Sequence, residues 1–271
     1  MKALKKVVNS KYFYGILWTV IIIAVWELFA MIVQFTKRTP ENVLPHISGI
    51  LKSIFTTQTI NGSQTALQMV MQNAAATLSR AAIGFAIGIA AGFILALLMN
   101  LSGAVEKIAF PYLMLIQMIP VLGLAPIVLA LTGDIAVSRV VISAILTFYP
   151  VAANTLAGFK SVSKEKHELM YSYAANKFQA YIKTMIPACI PYFFTGLKIA
   201  APMAITASIL VDTLQGGIGL GCLLSQSLKG AMSRYVFWQI VVFSAIIGVL
   251  SFVIIGRIEK LICPYKSKSN N

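Results

Sequence analysis

The sequence predicts an all-α polytopic membrane protein with six transmembrane helices. Two observations carry that prediction. Hydrophobic residues fill 58% of the 271 positions and charged residues only 11%, too few charges to solvate the surface of a soluble domain this long. Several stretches approach ~20 residues with few charges, the length at which a helix crosses the hydrocarbon core. The mean hydropathy of +0.83 agrees. A β-barrel would show short alternating segments, and the sequence has none. Residues 1–271 read as a single transmembrane domain.

The first span, 13–35, follows the basic start "MKALKKVVNSKYF". Its apolar run is too long for a signal-peptide core and no small-residue cleavage site is evident, so the span is expected to be retained. Pro40 and Pro45 mark a connection, in which "ISGILKSIF" has the apolar spacing of a helix lying along the membrane surface. The second span, 78–99, places Gly84, Gly88 and Gly92 four apart, a face that lets another helix approach closely. The third, 107–131, contains Pro111, Pro120 and Pro126 and is expected to be kinked or broken. Broken backbone at membrane depth must be buried in protein or line a cavity. Met118, Pro120 and Pro126 are therefore pathway candidates, with Met114 and Met203 as flexible thioethers. The fourth span, 138–159, carries Tyr149, Pro150 and Asn154 near its middle; Tyr149 and Asn154 join the pathway candidates. The fifth is 188–210 and the sixth 235–257, with the glycine-rich "DTLQGGIGLGCLLSQS" between them.

Ionisable residues inside spans need a partner or a cavity. Glu27 and Arg80 lie at similar depth with opposite sign and are expected to pair. Lys198, about ten residues into the fifth span, is read as structurally paired or, failing that, as a contact for an anionic solute. The net charge of +14 would suggest nucleic acid in a soluble protein. Here it marks loops retained on one side, and no nucleic-acid partner is expected. With the N-terminus inside, the inner segments hold fourteen of the 22 Lys and Arg residues and the outer ones seven, Lys198 being within a span. Both termini are thus placed in the cytoplasm of a plasma-membrane protein. Cys189, Cys222 and Cys263 lack metal or disulfide spacing, and no metal site is expected.

Between the fourth and fifth spans, "HELMYSYAANKFQAYIKTMIP" is polar yet periodic. Met170, Ala174, Phe178, Ile182 and Ile186 recur four apart, predicting one amphipathic helix or a pair of short ones that Pro187 ends. Such a stripe lies on the membrane or meets a cytoplasmic partner. Here the residues resemble a known family. Glu168, Ala174 and Pro187 match the spacing of the "EAA…G…LP" loop of permease subunits of binding-protein-dependent ABC importers. "TLSRAAIGFAIGIAAG", "IPVLGLAPIVLALTGD", "FYPVAANTLAGFKSV" and "LVDTLQGGIGLGCLL" are similar to further stretches of the nitrate, sulfonate and taurine permease group, so the resemblance covers residues 13–260. Two departures stand out: Leu169–Met170 replace the alanines of "EAA", and Ala174 replaces the glycine. If that position needs φ > 0, alanine costs roughly 1–2 kcal/mol, unless Asn176 takes over the bend or the loop is straighter.

The resemblance implies a homodimeric permease on two ATPase subunits. The coupling loop 160–187 would dock through Glu168, Met170, Ala174, Ala175, Asn176, Lys177, Phe178 and Pro187. It implies ATP and Mg on those partners and no cofactor on this chain, which has no GxxxxGK[ST] motif of its own. It also implies an extracytoplasmic solute-binding protein at the outer segments 40–55 and 213–226, and Asp212, Gly219 and Gly221 as gate candidates. The expected solute is sulfonate-, nitrate- or taurine-like, or alternatively an aromatic vitamin precursor. A secondary transporter would show inverted repeats and midplane carboxylates. An aspartyl enzyme would need paired acids, whereas Asp134 and Asp212 both stand at span ends, and His46 and His167 fall on opposite sides.

Overall fold

The structure, a computed structural model, describes residues 11–37, 43–56, 64–229 and 234–263. Lys2, Lys5, Lys6, Arg38, Pro40, Lys266 and Lys268 lie outside them. The described residues are helical throughout and divide into two compact units.

The smaller unit holds residues up to Val70 with Gln226–Gln239. Helix α1 (Lys11–Thr36) is the first span, and α2 (Ile47–Ile54) is the short amphipathic helix expected after it. His46 precedes α2 but gives no side-chain cap. Glu27 supplies it instead: Oε1 accepts from the Ile47 N–H at 2.9 Å, and Oε2 meets His46 Nδ1 at 2.6 Å. A carboxylate at a helix N-terminus satisfies an orphan amide and the helix dipole together. The Trp26 indole donates to the Pro45 carbonyl at 3.1 Å and meets Trp238 edge-on at 5.0 Å. Gln239 donates to Ser53 at 2.9 Å, fixing the far end of α2. The expected Glu27–Arg80 pair is corrected here. Glu27 belongs to α2, and Arg80 pairs with Asp212.

The larger unit is Met71–Ser225 with the chain from Ile240 onward. Helix α3 (Ala66–Leu101) begins well before the expected position 78 because Gln68, Gln72 and Asn73 extend it as a polar turn. The third span is broken, as its prolines require. Helices α4 (Gly103–Met118) and α5 (Val121–Thr132) meet at 106° around Ile119 and Pro120. Helix α6 (Ile135–Lys160) follows a tight connection. Gly133 is left-handed at φ 67, and Asp134 caps α6 by accepting from the Val137 N–H at 2.8 Å. Lys160, at the other end of α6, pairs with Glu106 at the start of α4. The bent pair therefore traverses the length of α6 and counts as one span, which makes six with the five unbroken ones.

Two seams set the packing. Gly84, Gly88 and Gly92 put α3 directly against α6; a Cβ on Gly88 would stand 2.5 Å from the Thr147 Cβ and 2.6 Å from the Ala144 carbonyl oxygen. The second seam joins α6 to α9 (Ile186–Gln215) in antiparallel register: Gly158 faces Cys189, Gly196 faces the Pro150 carbonyl, and Ser143 donates to the Ala204 carbonyl at 3.3 Å. Helix α10 (Arg234–Ile262) adds the sixth span, where Glu259 takes Lys198 at 2.6 Å.

Replacing Gly88 by Ala is expected to destabilise the protein by about 1–3 kcal/mol through overpacking. Gly123→Ala, where a Cβ meets nothing within 4 Å, is the control, and thermal unfolding in detergent measures both.

Candidate functional site

Two clusters sit at opposite ends of the α6–α9 pair. The first is the loop that joins them. Helix α7 (Lys164–Ser172) ends in a Schellman-type turn: the Ala175 N–H bonds the Met170 carbonyl at 3.0 Å and the Ala174 N–H the Tyr171 carbonyl at 2.9 Å. That turn puts Ala174 at φ 49, the left-handed region where glycine is usual. The strain falls on Ala174 itself. Asn176 does not take over the bend, since it is extended and caps α8 (Lys177–Ala180). Its Oδ1 accepts from the Gln179 N–H at 2.8 Å while Gln179 Oε1 accepts from the Asn176 N–H at 3.0 Å, a capping box.

The loop is thus two short helices with a sharp stop and restart. Pro187 is expected to end the amphipathic segment and begin the next span; it does lie in the first turn of that span, but the helix is not interrupted there. A π-helical turn, Tyr181–Met185, carries α8 directly into α9, and the Ile186 N–H reaches back five residues to Tyr181. Pro187 has no N–H to donate, and it falls in the first turn of α9. The Asn100 amide donates to the Tyr181 hydroxyl at 2.7 Å, fastening the turn to the end of α3.

The break redistributes the expected stripe. Met170, Ala175 and Pro187 are half-buried, and Ile186 joins the core around Met185 and Phe159. Glu168, Ala174, Asn176 and Lys177 are exposed. Three aromatic rings are left without cover, Tyr171 at 87%, Tyr173 at 77% and Phe178 at 72% exposure. The Ser163 hydroxyl holds the Glu165 carboxyl at the start of α7 below its ordinary range.

The second cluster was only partly foreseen. Asp212, 0% exposed, lies near the end of α9. Its Oδ1 pairs with Arg139 Nε at 2.9 Å and accepts from Arg80 Nη2 at 3.1 Å, and Oδ2 accepts from the Thr77 hydroxyl at 2.6 Å. The same groups hold the glycine-rich turn. Arg80 donates to the Ile218 carbonyl at 2.8 Å and Arg139 to the Gly216 carbonyl. The Gly219 N–H donates to Asn73 Oδ1 at 2.7 Å and the Leu220 N–H to Thr77 at 2.9 Å. Gly216, Gly217 and Gly219 all have positive φ, so the turn curls over Asp212 in a path closed to side chains. A Cβ on Gly221 would stand 2.7 Å from that of Asp212. The gate candidates Asp212, Gly219 and Gly221 therefore meet, with Arg80 as an unexpected fourth. Arg139, Thr77 and Asn73 were not singled out. Their polarity within otherwise apolar helices was the available signal.

The remaining candidates do not form one site. Lys198 is taken by Glu259, and the Asn154 amide donates to the Pro150 carbonyl at 2.7 Å. The Tyr149 hydroxyl donates to Met114 Sδ at 3.5 Å, beside the break. Met118, 74% exposed, and Pro120 stand at the break, with Pro126 exposed on α5.

Comparison with known proteins gives one consistent result. Residues 88–262 match the family described as binding-protein-dependent transport system inner membrane component. The formylaminopyrimidine transport permease of Halalkalibacterium halodurans is 30% identical over 93% of this chain and 95% of its own. The nitrate import permease of Leptolyngbya laminosa is 26% identical over 72% of this chain and 69% of its own. A crystal structure of an amino acid ABC transporter superposes at TM-score 0.59 with 19% identity, covering 76% of this chain and 98% of that one, and so shows the shared fold.

Ala174→Gly is expected to stabilise the protein by roughly 1 kcal/mol and Ala174→Val to destabilise it, because only glycine is free of the left-handed penalty. Thermal unfolding of the pair gives opposite shifts. Asp212→Asn strands two guanidinium groups and is expected to cost roughly 3–5 kcal/mol, read as a lowered melting temperature and faster proteolysis at 216–219.

Proposed function

The chain belongs to the binding-protein-dependent transport system inner membrane component family and is the permease of an ABC importer, and we propose how it is driven and what it carries. The loop 160–187 docks into an ATPase subunit. The single observation that carries this is the trio of uncovered rings, Tyr171, Tyr173 and Phe178, on a short rigid loop continuous with a membrane helix. Exposed aromatic clusters on otherwise polar segments mark protein contacts. Glu168 and Lys177 border the contact. ATP and Mg are held by the ATPase, and this chain contributes no nucleotide site.

Docking there requires the loop to be cytoplasmic, so both termini are cytoplasmic too, as the Lys and Arg distribution favours. The chain works as a homodimer. The break at Ile119–Pro120 leaves backbone polar groups beside the exposed Tyr112, Leu115 and Met118, and in a bilayer such a face needs a protein cover or a water path. A second copy supplies the cover, and Met118, Pro120, Pro126 and Tyr149 line the path between copies. Asp212 and its glycine turn form the outer gate below the solute-binding protein.

The solute is a small heteroaromatic compound of the vitamin-precursor class. Among the described residues, Arg80 and Arg139 are matched by Asp212 and Lys198 by Glu259. An oxyanion beside these three would meet cations already committed, whereas thioether and phenol groups at the break suit an aromatic ring. The formylaminopyrimidine permease among the relatives supports this. An oxyanion is the second reading, favoured by the nitrate permease and by two arginines sharing one aspartate.

Uptake by the complete complex in proteoliposomes tests the solute. ATP-driven import of a formylaminopyrimidine, uncompeted by nitrate or alkanesulfonate, is expected; the reverse preference establishes the second reading. Phe178→Asp is expected to weaken ATPase association by about 2 kcal/mol or more, seen as loss of the ATPase on co-purification. Glu168→Lys is expected to abolish transport-coupled ATP hydrolysis in assembled complexes. Undiminished uptake in both variants would exclude the loop as the coupling element.

A further inference from the structure

The face of α7 opposite its docking side borders a pocket of about 360 Å³, formed where the loop turns into α9. Lys166, Lys183 and Thr184 line it together with the apolar Leu169, Met170 and Pro187. No hydrogen bond or ion pair joins any of the three polar side chains to another described residue. For Thr184 this is unusual. Helical threonines generally bond the carbonyl four residues back, as Thr195 and Thr206 do here. Thr184 sits in the π-helical turn, whose widened pitch takes it out of that geometry.

Helical periodicity separates the pocket from the docking side. Lys166, Leu169 and Met170 share one face of α7, while Glu168 and Tyr171 project from the other. No carboxylate lines the pocket, and its floor includes the first turn of a membrane-spanning helix. Two ammonium groups and a free hydroxyl over an apolar floor at a span end form a receptor for an amphiphilic anion at headgroup depth.

We propose that this pocket binds the phosphate of an anionic phospholipid, with Lys166 and Lys183 as charge partners, Thr184 as hydroxyl donor, and the acyl chains leaving over Leu169 and Pro187 along α9. Basic pockets at the ends of membrane helices select anionic headgroups in this way. A zwitterionic headgroup would bring its own ammonium against the two lysines. A free phosphate would leave the apolar floor unused. The lipid would brace the junction that carries movement of α7 into α9, making ATP-driven turnover sensitive to the anionic lipid content of the bilayer. This site is independent of the solute carried.

The test places the complete permease–ATPase complex in nanodiscs of phosphatidylcholine doped with a photoactivatable lipid, and maps cross-links by peptide. A phosphatidylglycerol probe is expected to label the peptides containing Lys166 and Lys183, with a phosphatidylcholine probe labelling them far less. Lys166→Gln with Lys183→Gln is expected to reduce labelling roughly tenfold or more, and the corresponding arginine pair to keep it. Equal labelling by both probes in the parent protein overturns the proposal without any variant. So does labelling abolished by soluble glycerol phosphate, which makes the ligand a free anion. Labelling seen only without the ATPase also overturns it, because a carboxylate of that partner then fills the pocket.

Discussion

Backbone contact between α6 and α9 is the constraint on which the other features rest. Glycine at 158 and 196 lets the two helices touch main chain to main chain, and small residues at such crossings give close van der Waals packing in lipid, where the hydrophobic effect between helices is absent. The contact fixes an antiparallel register from Gly158–Cys189 at one end to Arg139–Asp212 at the other. Helix α3 then packs on α6 through a third set of glycines. Three spans with this little room between them have little freedom to bend separately.

That rigidity relates the two clusters. The coupling loop connects α6 to α9 covalently at one end, with Tyr181 tied to α3 by Asn100. At the opposite end the same three helices supply Arg80, Arg139 and Asp212 to the glycine-rich turn. The packed spans between them have no loose joint. The charge cluster is held differently. Asp212 is shared by two guanidinium groups, and the turn is held by hydrogen bonds to its backbone carbonyls and amides rather than by packed side chains. A buried network of this kind is rigid while every member is satisfied and costly to break when one is lost.

Much of this was legible in the sequence because bilayers impose strong rules on composition. The spans follow from length and hydropathy, the break from Pro120, the close seam from Gly84, Gly88 and Gly92, and the loop from period and motif. What escaped depends on partners distant along the chain. Arg80 and Asp212 are 132 residues apart, and depth and sign alone matched Arg80 equally well to Glu27. Glu27 was nearer a better partner, because His46 and the N-terminus of α2 offered two donors within about 20 residues. The N-terminal extension of α3 was missed because Gln68, Gln72 and Asn73 end the apolar run without ending the helix. Ala174 is the reverse case: its oddity was visible as a residue where glycine is usual, and the turn geometry assigns it the strain.

The strained alanine also shows why the loop is rigid although it is short and exposed. A Schellman-type turn at Ala174 and a capping box at Asn176 are consecutive, so the backbone N–H groups of residues 173–176, 179 and 180 all have partners. Satisfying those groups outweighs a left-handed alanine, whose penalty is roughly 1–2 kcal/mol, because several hydrogen bonds would be lost by relaxing it. The chain thus holds three aromatic rings on a stiff corner with no hinge between them and the membrane helix. A flexible corner would absorb a partner's movement in backbone rotation, whereas a stiff one would pass it to α9 through the π-helical turn.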